Sequence, residues 1–167
     1  MKISALPRQE FVDRFAGVYE HSRWVAEKCF DEGGHLVAAV PADLAGPFAA
    51  IVEAAGTEPQ MILLRAHPDL AGKLAQNGEL TSASTSEQAG AGLDRCSASE
   101  FREFTDLNTA YREKFGFPFI VAVRGMSRTD ILAQFRARVE NDVATEFRAA
   151  LDQVHRIARL RLGNSVV

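Results

Sequence analysis

The chain reads as all-α: a single compact domain of roughly eight helices, interrupted by one extended segment that lines a pocket. Three observations predict this. Apolar residues recur three and four positions apart in nearly every window, the spacing that turns one helical face toward a core. No window shows the strict polar and apolar alternation of a half-buried strand. Helix starts are also written locally, since Ser97 with Glu100 and Ser127 with Asp130 each precede an apolar stripe at capping-box spacing.

Pro7 can open the first helix, and Phe11, Phe15, Val18 and Tyr19 form its stripe. Ser22 restarts a second segment through Trp24, Val25 and Phe30, which Gly33 and Gly34 end. Residues 35–41 are expected to form a loop, with His35 exposed in it. Leu44, Phe48, Ile51, Val52 and Ala55 then repeat at helical spacing until Gly56 stops them. Pro59 begins a short apolar helix containing MILL, expected to be buried and to end at His67. A short helix is expected from Pro68 onward, closed by Asn77 and Gly78, and Leu80 leads into a helix with a polar face.

After Ser97, the stripe Phe101, Phe104, Leu107, Tyr111 and Phe115 predicts a core helix. Gly116 and Pro118 break it. Residues 119–123 (FIVAV) then run apolar, and a short buried strand is the default reading. An isolated strand has no partner for its backbone groups, so an extended pocket-lining segment is preferred, its N–H and C=O groups left for a ligand. Ile131, Leu132, Phe135 and Val139 give the next helix, and the pattern breaks around Asn141. Val143, Phe147, Ala150, Leu151, Val154, Ile157, Ala158 and Leu162 define a long final helix, with Arg161 near its end.

At 167 residues, 47% hydrophobic and 25% charged, the chain suits one domain, residues 1–167, able to bury its own core. A formal charge of -3 with arginines scattered among carboxylates gives no basic footprint, so no nucleic-acid partner is expected. No apolar run is long enough to span a bilayer, and the start MKISALPRQEF lacks a signal peptide's apolar core. The expectation is a cytoplasmic protein without a membrane partner. Cys29 and Cys96 have no metal-ligand spacing and read as reduced thiols.

The candidate active site is RAHPDLAGK (65–73) with LTSASTSEQAGAGL (80–93). Proline disfavours helix in the residue before it, which places His67 at a junction with a fixed backbone. Ser84, Glu87, Gln88 and Ala91 fall at i, i+3, i+4 and i+7, one face of a helix, and three of the four can hydrogen-bond a small ligand. The face is polar where an ordinary amphipathic helix is apolar, and Gly90 and Gly92 are poor helix formers unless something must approach closely. The plainer alternative is a capped junction, with Thr81 or Ser84 as N-cap and Glu87 completing a box from Ser84.

HPDLAGK, then LT..S..EQ..AGL, then LN..Y..KFGFPFI..V.G, with an arginine-leucine pair near the end of the last helix, resemble the 2-oxo-4-hydroxy-4-carboxy-5-ureidoimidazoline (OHCU) decarboxylase family of urate degradation. The resemblance runs from about Leu6 to Leu162. It implies cofactor-independent decarboxylation of OHCU to (S)-allantoin and CO2, no bound metal, and a homodimer. His67 and Glu87 are the catalytic candidates. The substrate-binding candidates are Pro68, Ser84, Thr85, Ser86, Glu87, Gln88, Phe119, Ile120, Val121, Ala122, Val123 and Arg161. For Arg161 the alternative is a cation complementing the helix dipole.

Two rivals come from other classes. A metal-dependent hydrolase would use His67, Asp69, Glu87 and His35, but the chain has no HExxH or tight His/Asp cluster. A non-enzymatic helical interaction module would use His67 and Glu87 only for capping and solvation.

Overall fold

Inward-facing residues repeat at helical spacing and stop where glycine or proline intervenes, so helices dominate. The computed structural model of the chain describes residues 2–72 and 78–165. Among them are eight α-helices, four short 3-10 helices and no strand. None of these helices is long and apolar enough to cross a membrane. The packing forms two units: Met1–Ala66 with Val154–Val167, and His67–Gln153.

The first unit holds α1 (Arg8–Phe15), α2 (Trp24–Asp31), α3 (Ala45–Ala54), α4 (Thr57–Arg65) and the end of α8 (Val143–Asn164). Pro7 is the extended N-cap of α1, which stops at Phe15; Val18 and Tyr19 are buried from the turn that follows rather than from the helix. Ser22 does not cap α2, because its hydroxyl donates to Glu20 O at 3.0 Å. Gly33 ends that region in the left-handed conformation at φ +77, which glycine adopts at no steric cost.

His35 corrects an expectation. It sits in a 3-10 turn (Gly34–Val37), is only 6% exposed, and stacks on Phe30 with ring centroids 3.9 Å apart. A partner ring available only in the folded chain outweighs the local polarity of GGH. The helix containing MILL also differs from expectation, because α4 starts at Thr57 and is amphipathic: Leu63 and Leu64 are buried while Ile62 is 60% exposed. Gln60, buried, ties α4 to α3 by donating to Val52 O and Glu53 O.

The end of α8 buries Val154, Ile157, Ala158 and Leu162. His155 is held on both ring nitrogens, to the Tyr19 hydroxyl at 2.7 Å and to Glu53 at 2.8 Å. The carboxylate can only accept, so Nε2 donates to it.

The second unit holds α5 (Ser82–Gly90), α6 (Ala98–Phe115), α7 (Arg128–Arg138) and the start of α8. Both capping boxes form as the sequence predicts, Ser97 with Glu100 and Ser127 with Asp130. The break near Asn141 falls where α8 begins, with Asp142 accepting the Thr145 N–H at 2.8 Å. Phe104, Tyr111 and Phe115 are buried, and Tyr111 packs edge-on against Phe117, Phe119 and Phe135. Phe119, the first residue of the extended segment 119–123, is part of this aromatic cluster.

Candidate active site

Pro68 keeps His67 out of helical conformation, and the imidazole is 6% exposed. Residues 68–72 form a turn rather than the helix expected from Pro68, and residues 73–77, with the expected stop at Asn77, lie outside the described residues. The reason is local. Ala71 has φ +50, a left-handed conformation that a helix interior does not accommodate, and the turn's peptide groups are bonded sideways.

Those sideways bonds come from two helices. On α5, Gln88 accepts the Ala71 N–H at 3.0 Å and donates to Asp69 O at 3.3 Å. On α6, Asn108 donates to Leu70 O at 3.0 Å, and Arg112 pairs with Asp69 at 2.8 Å. The turn after His67 is therefore clipped at three consecutive residues.

Thr81 is the N-cap of α5, its hydroxyl accepting the Ser84 N–H, so that role does not fall to Ser84. Ser84 and Gln88 are 4% and 5% exposed, Ala91 is buried and Glu87 is half-buried, so the face read from the spacing is the inward face. Thr85 and Ser86 are exposed on α5. Pro68 is half-buried in the turn.

Residues 119–123 are all buried and pair with no strand among the described residues. Their backbone is less available than expected. Ile120 O accepts from Arg138 Nη1 at 2.7 Å, Ala122 N–H donates to Gln153 Oε1 at 2.9 Å, and Val123 O accepts the Met126 N–H at 3.0 Å. Side chains replace the missing sheet neighbour, which meets the same need for satisfied backbone groups.

The profile of the OHCU decarboxylase family matches residues 4–163. The chain belongs to the OHCU decarboxylase family. It is 44% identical over 161 residues to a 2-oxo-4-hydroxy-4-carboxy-5-ureidoimidazoline decarboxylase of Haloferax volcanii, covering 96% of this chain and 92% of the relative. A protein of the same name from Halalkalicoccus jeotgali is 40% identical over 155 residues, covering 93% and 84%. A solved structure described as (S)-allantoin synthase superposes with a TM-score of 0.75 at 34% identity, covering 96% of this chain and 51% of that one.

In this OHCU decarboxylase family member, Arg161 lies in the first unit and donates to Glu20, 2% exposed, at 2.7 Å, and to the carbonyls of Gly17 and Val18. This is a buried, hydrogen-bonded ion pair. An open groove of about 800 Å³ in the second unit is lined by residues 90–92, Arg95 and residues 125–130. It starts where α5 ends and just beyond residue 123; its lining takes in residues 90–92 of the candidate stretch but none of the residues singled out as catalytic or substrate-binding.

Sequence reasoning missed Asn108, Arg138, Glu146 and Gln153, the residues that hold the two candidate segments. Two of them left a signal. Asn108 falls in step with Phe104, Tyr111 and Phe115, and Glu146 falls in step with Ala150 on an apolar face. A polar side chain on a buried stripe needs a partner. Glu146 is fully buried and has three: Arg138, Tyr111 and Asn141. Burial alone would raise its carboxyl, but the hydrogen bonds from Arg138, Tyr111 and Asn141 together hold it below the usual carboxylate range. Burial first, then the bond to Glu146, pushes the Tyr111 phenol above its ordinary value.

Proposed function

We propose that this protein is an OHCU decarboxylase, converting 2-oxo-4-hydroxy-4-carboxy-5-ureidoimidazoline to (S)-allantoin and CO2 in urate degradation, without a cofactor. The observation that carries the reading is the turn behind His67, clipped by Gln88 to the helix that bears Ser84 and Glu87, in a chain 44% identical to a relative of that name.

Losing CO2 leaves an electron pair on carbon, and decarboxylases that recruit pyridoxal, thiamine or a metal use it to hold that pair. This substrate carries a ring imine beside the carbon that bears the carboxylate, so the ring itself takes the electrons. What remains for the protein is to orient the substrate, exclude water and move a proton. The former imine carbon then takes a proton while the hydroxyl gives up its own to become a carbonyl, and His67, suited to proton transfer near neutral pH, meets the hydroxyl or the developing ring charge and serves as the proton donor. Glu87, three residues from Ser84 on the same helix, orients the imidazole or a ureido N–H. Pro68, Ser84, Gln88 and residues 119–123 enclose the ring and ureido groups, and the apolar side chains of the last segment keep water out. Delivery of the proton to one face of a planar intermediate gives one hand of allantoin.

In the same reading, residues 1–167 are one OHCU decarboxylase-like domain, a reading supported by a family match that runs through both packing units. The enzyme acts as a cytoplasmic homodimer on a small molecule, with no nucleic-acid or membrane partner. The family resemblance supports the dimer, and light scattering tests it. The decisive experiment generates the unstable substrate in situ from urate and follows circular dichroism. Faster, one-handed allantoin formation is expected, and a rate equal to the spontaneous reaction would overturn the proposal.

A further inference from the structure

We infer that Arg138 and Gln153 are positioning residues that fix residues 119–123 as a pre-formed wall for the substrate. This rests on the reading above, in which that segment lines the site.

Among the described residues the segment has no strand neighbour, so its peptide groups need other partners. Two helices supply them. Arg138 on α7 donates to Ile120 O at 2.7 Å, and Gln153 on α8 accepts the Ala122 N–H at 2.9 Å. The two bonds bracket Val121 and hold its peptide between fixed points.

Stability does not by itself account for Arg138. A buried arginine–glutamate pair is often no more stabilising than apolar residues of the same volume, because both charges lose their water. What the pair supplies is direction. Nε and Nη2 bind the buried Glu146 at 3.1 and 2.9 Å, which Tyr111 and Asn141 also hold. The guanidinium is planar, so fixing two of its nitrogens also fixes Nη1, the one that reaches Ile120. Its Cζ lies over the Phe119 ring, 4.6 Å from the centroid, and that ring stacks on Phe135 at 3.9 Å. The segment is thus held at a carbonyl, at a ring and, through Gln153, at an amide. A wall ordered beforehand spares the ligand the entropy of ordering it.

Residues that hold a wall touching substrate and transition state alike affect binding more than the chemical step. Gln153→Leu removes one acceptor from a half-buried side chain, and Gln153→Glu keeps one. Arg138→Lys keeps the charge beside Glu146 but loses the planar fork. The measurements are kcat and KM with substrate made in situ, the Kd of allantoin by calorimetry, the melting temperature, and amide exchange at Ala122.

For a single hydrogen bond, Gln153→Leu and Arg138→Lys should each raise KM and Kd about five- to tenfold, with kcat within about twofold. Gln153→Leu should also speed exchange at Ala122, and Gln153→Glu should restore KM. A folded Gln153→Leu protein with wild-type KM and Kd, or a Gln153→Glu protein as impaired as Gln153→Leu, overturns the inference. Failure of the wild-type chain to turn over the substrate would instead overturn the functional reading, and the Ala122 exchange result would still stand.

Discussion

Gln88 Oε1 accepts the Ala71 N–H at 3.0 Å, so the helix with the polar inward face also sets the position of the turn that begins at His67. A residue read from sequence as a ligand contact has both ends of its amide engaged by the protein's own backbone. Gln88→Leu should therefore do two things at once. It should destabilise the fold by about 1–3 kcal/mol, the cost of stranding buried backbone groups, and lower kcat by displacing His67. Melting curves and turnover on the same preparation check this. A variant with full stability that loses only substrate affinity would contradict the clip.

His67→Gln should cut kcat by on the order of a hundredfold or more, the usual scale for removing a general acid or base. Melting should shift by only a few degrees. Near-normal turnover in a folded His67→Gln protein would remove the imidazole from the mechanism.

Glu146 should make the fold acid-sensitive. Its carboxyl is held below the ordinary value of 4.5 in the native state, so the unfolded chain takes up the proton first as pH falls. The stabilisation is fully present above that ordinary value and is lost as pH drops through the lower native one. Denaturant titrations from pH 6 to pH 3 should give a slope in stability that Glu146→Gln flattens. An identical slope in wild type and variant would show that this carboxylate is not the acid-labile group.

Arg161 should matter to stability. Removing it leaves a carboxylate that is 2% exposed without its guanidinium, a change that typically costs about 3–5 kcal/mol. Replacing both partners, Glu20→Gln with Arg161→Met, should recover much of that loss in a double-mutant cycle. Additive losses would mean that the pair is not coupled.

How much of this was legible beforehand follows from the range of each interaction. The capping boxes at Ser97 and Ser127 were readable because donor and acceptor lie three residues apart. The inward face of α5 was readable because helical periodicity alone puts Ser84, Gln88 and Ala91 on one side. His35 was misread because its partner ring becomes its neighbour only when the chain turns at Gly33. The turn at Ala71 was hidden for a different reason. Alanine carries no local signal for a left-handed backbone, which is imposed by Gln88 and Asn108 from distant helices. The wall at residues 119–123 was recognised as unusual, but the loss of its free peptide groups to Arg138 and Gln153 needed the tertiary fold.

The helix Val143–Asn164 begins among residues of the second unit and ends among those of the first. Tyr19, Glu20 and Glu53 therefore wait for His155 and Arg161, partners made more than a hundred residues later. On a ribosome, the amino-terminal helices must remain without these interior contacts until the chain has emerged through Arg161, while residues 67–153 can mature first. A premature stop shortly before His155 should thus spare the inner region and leave the opening helices exposed to proteases and chaperones.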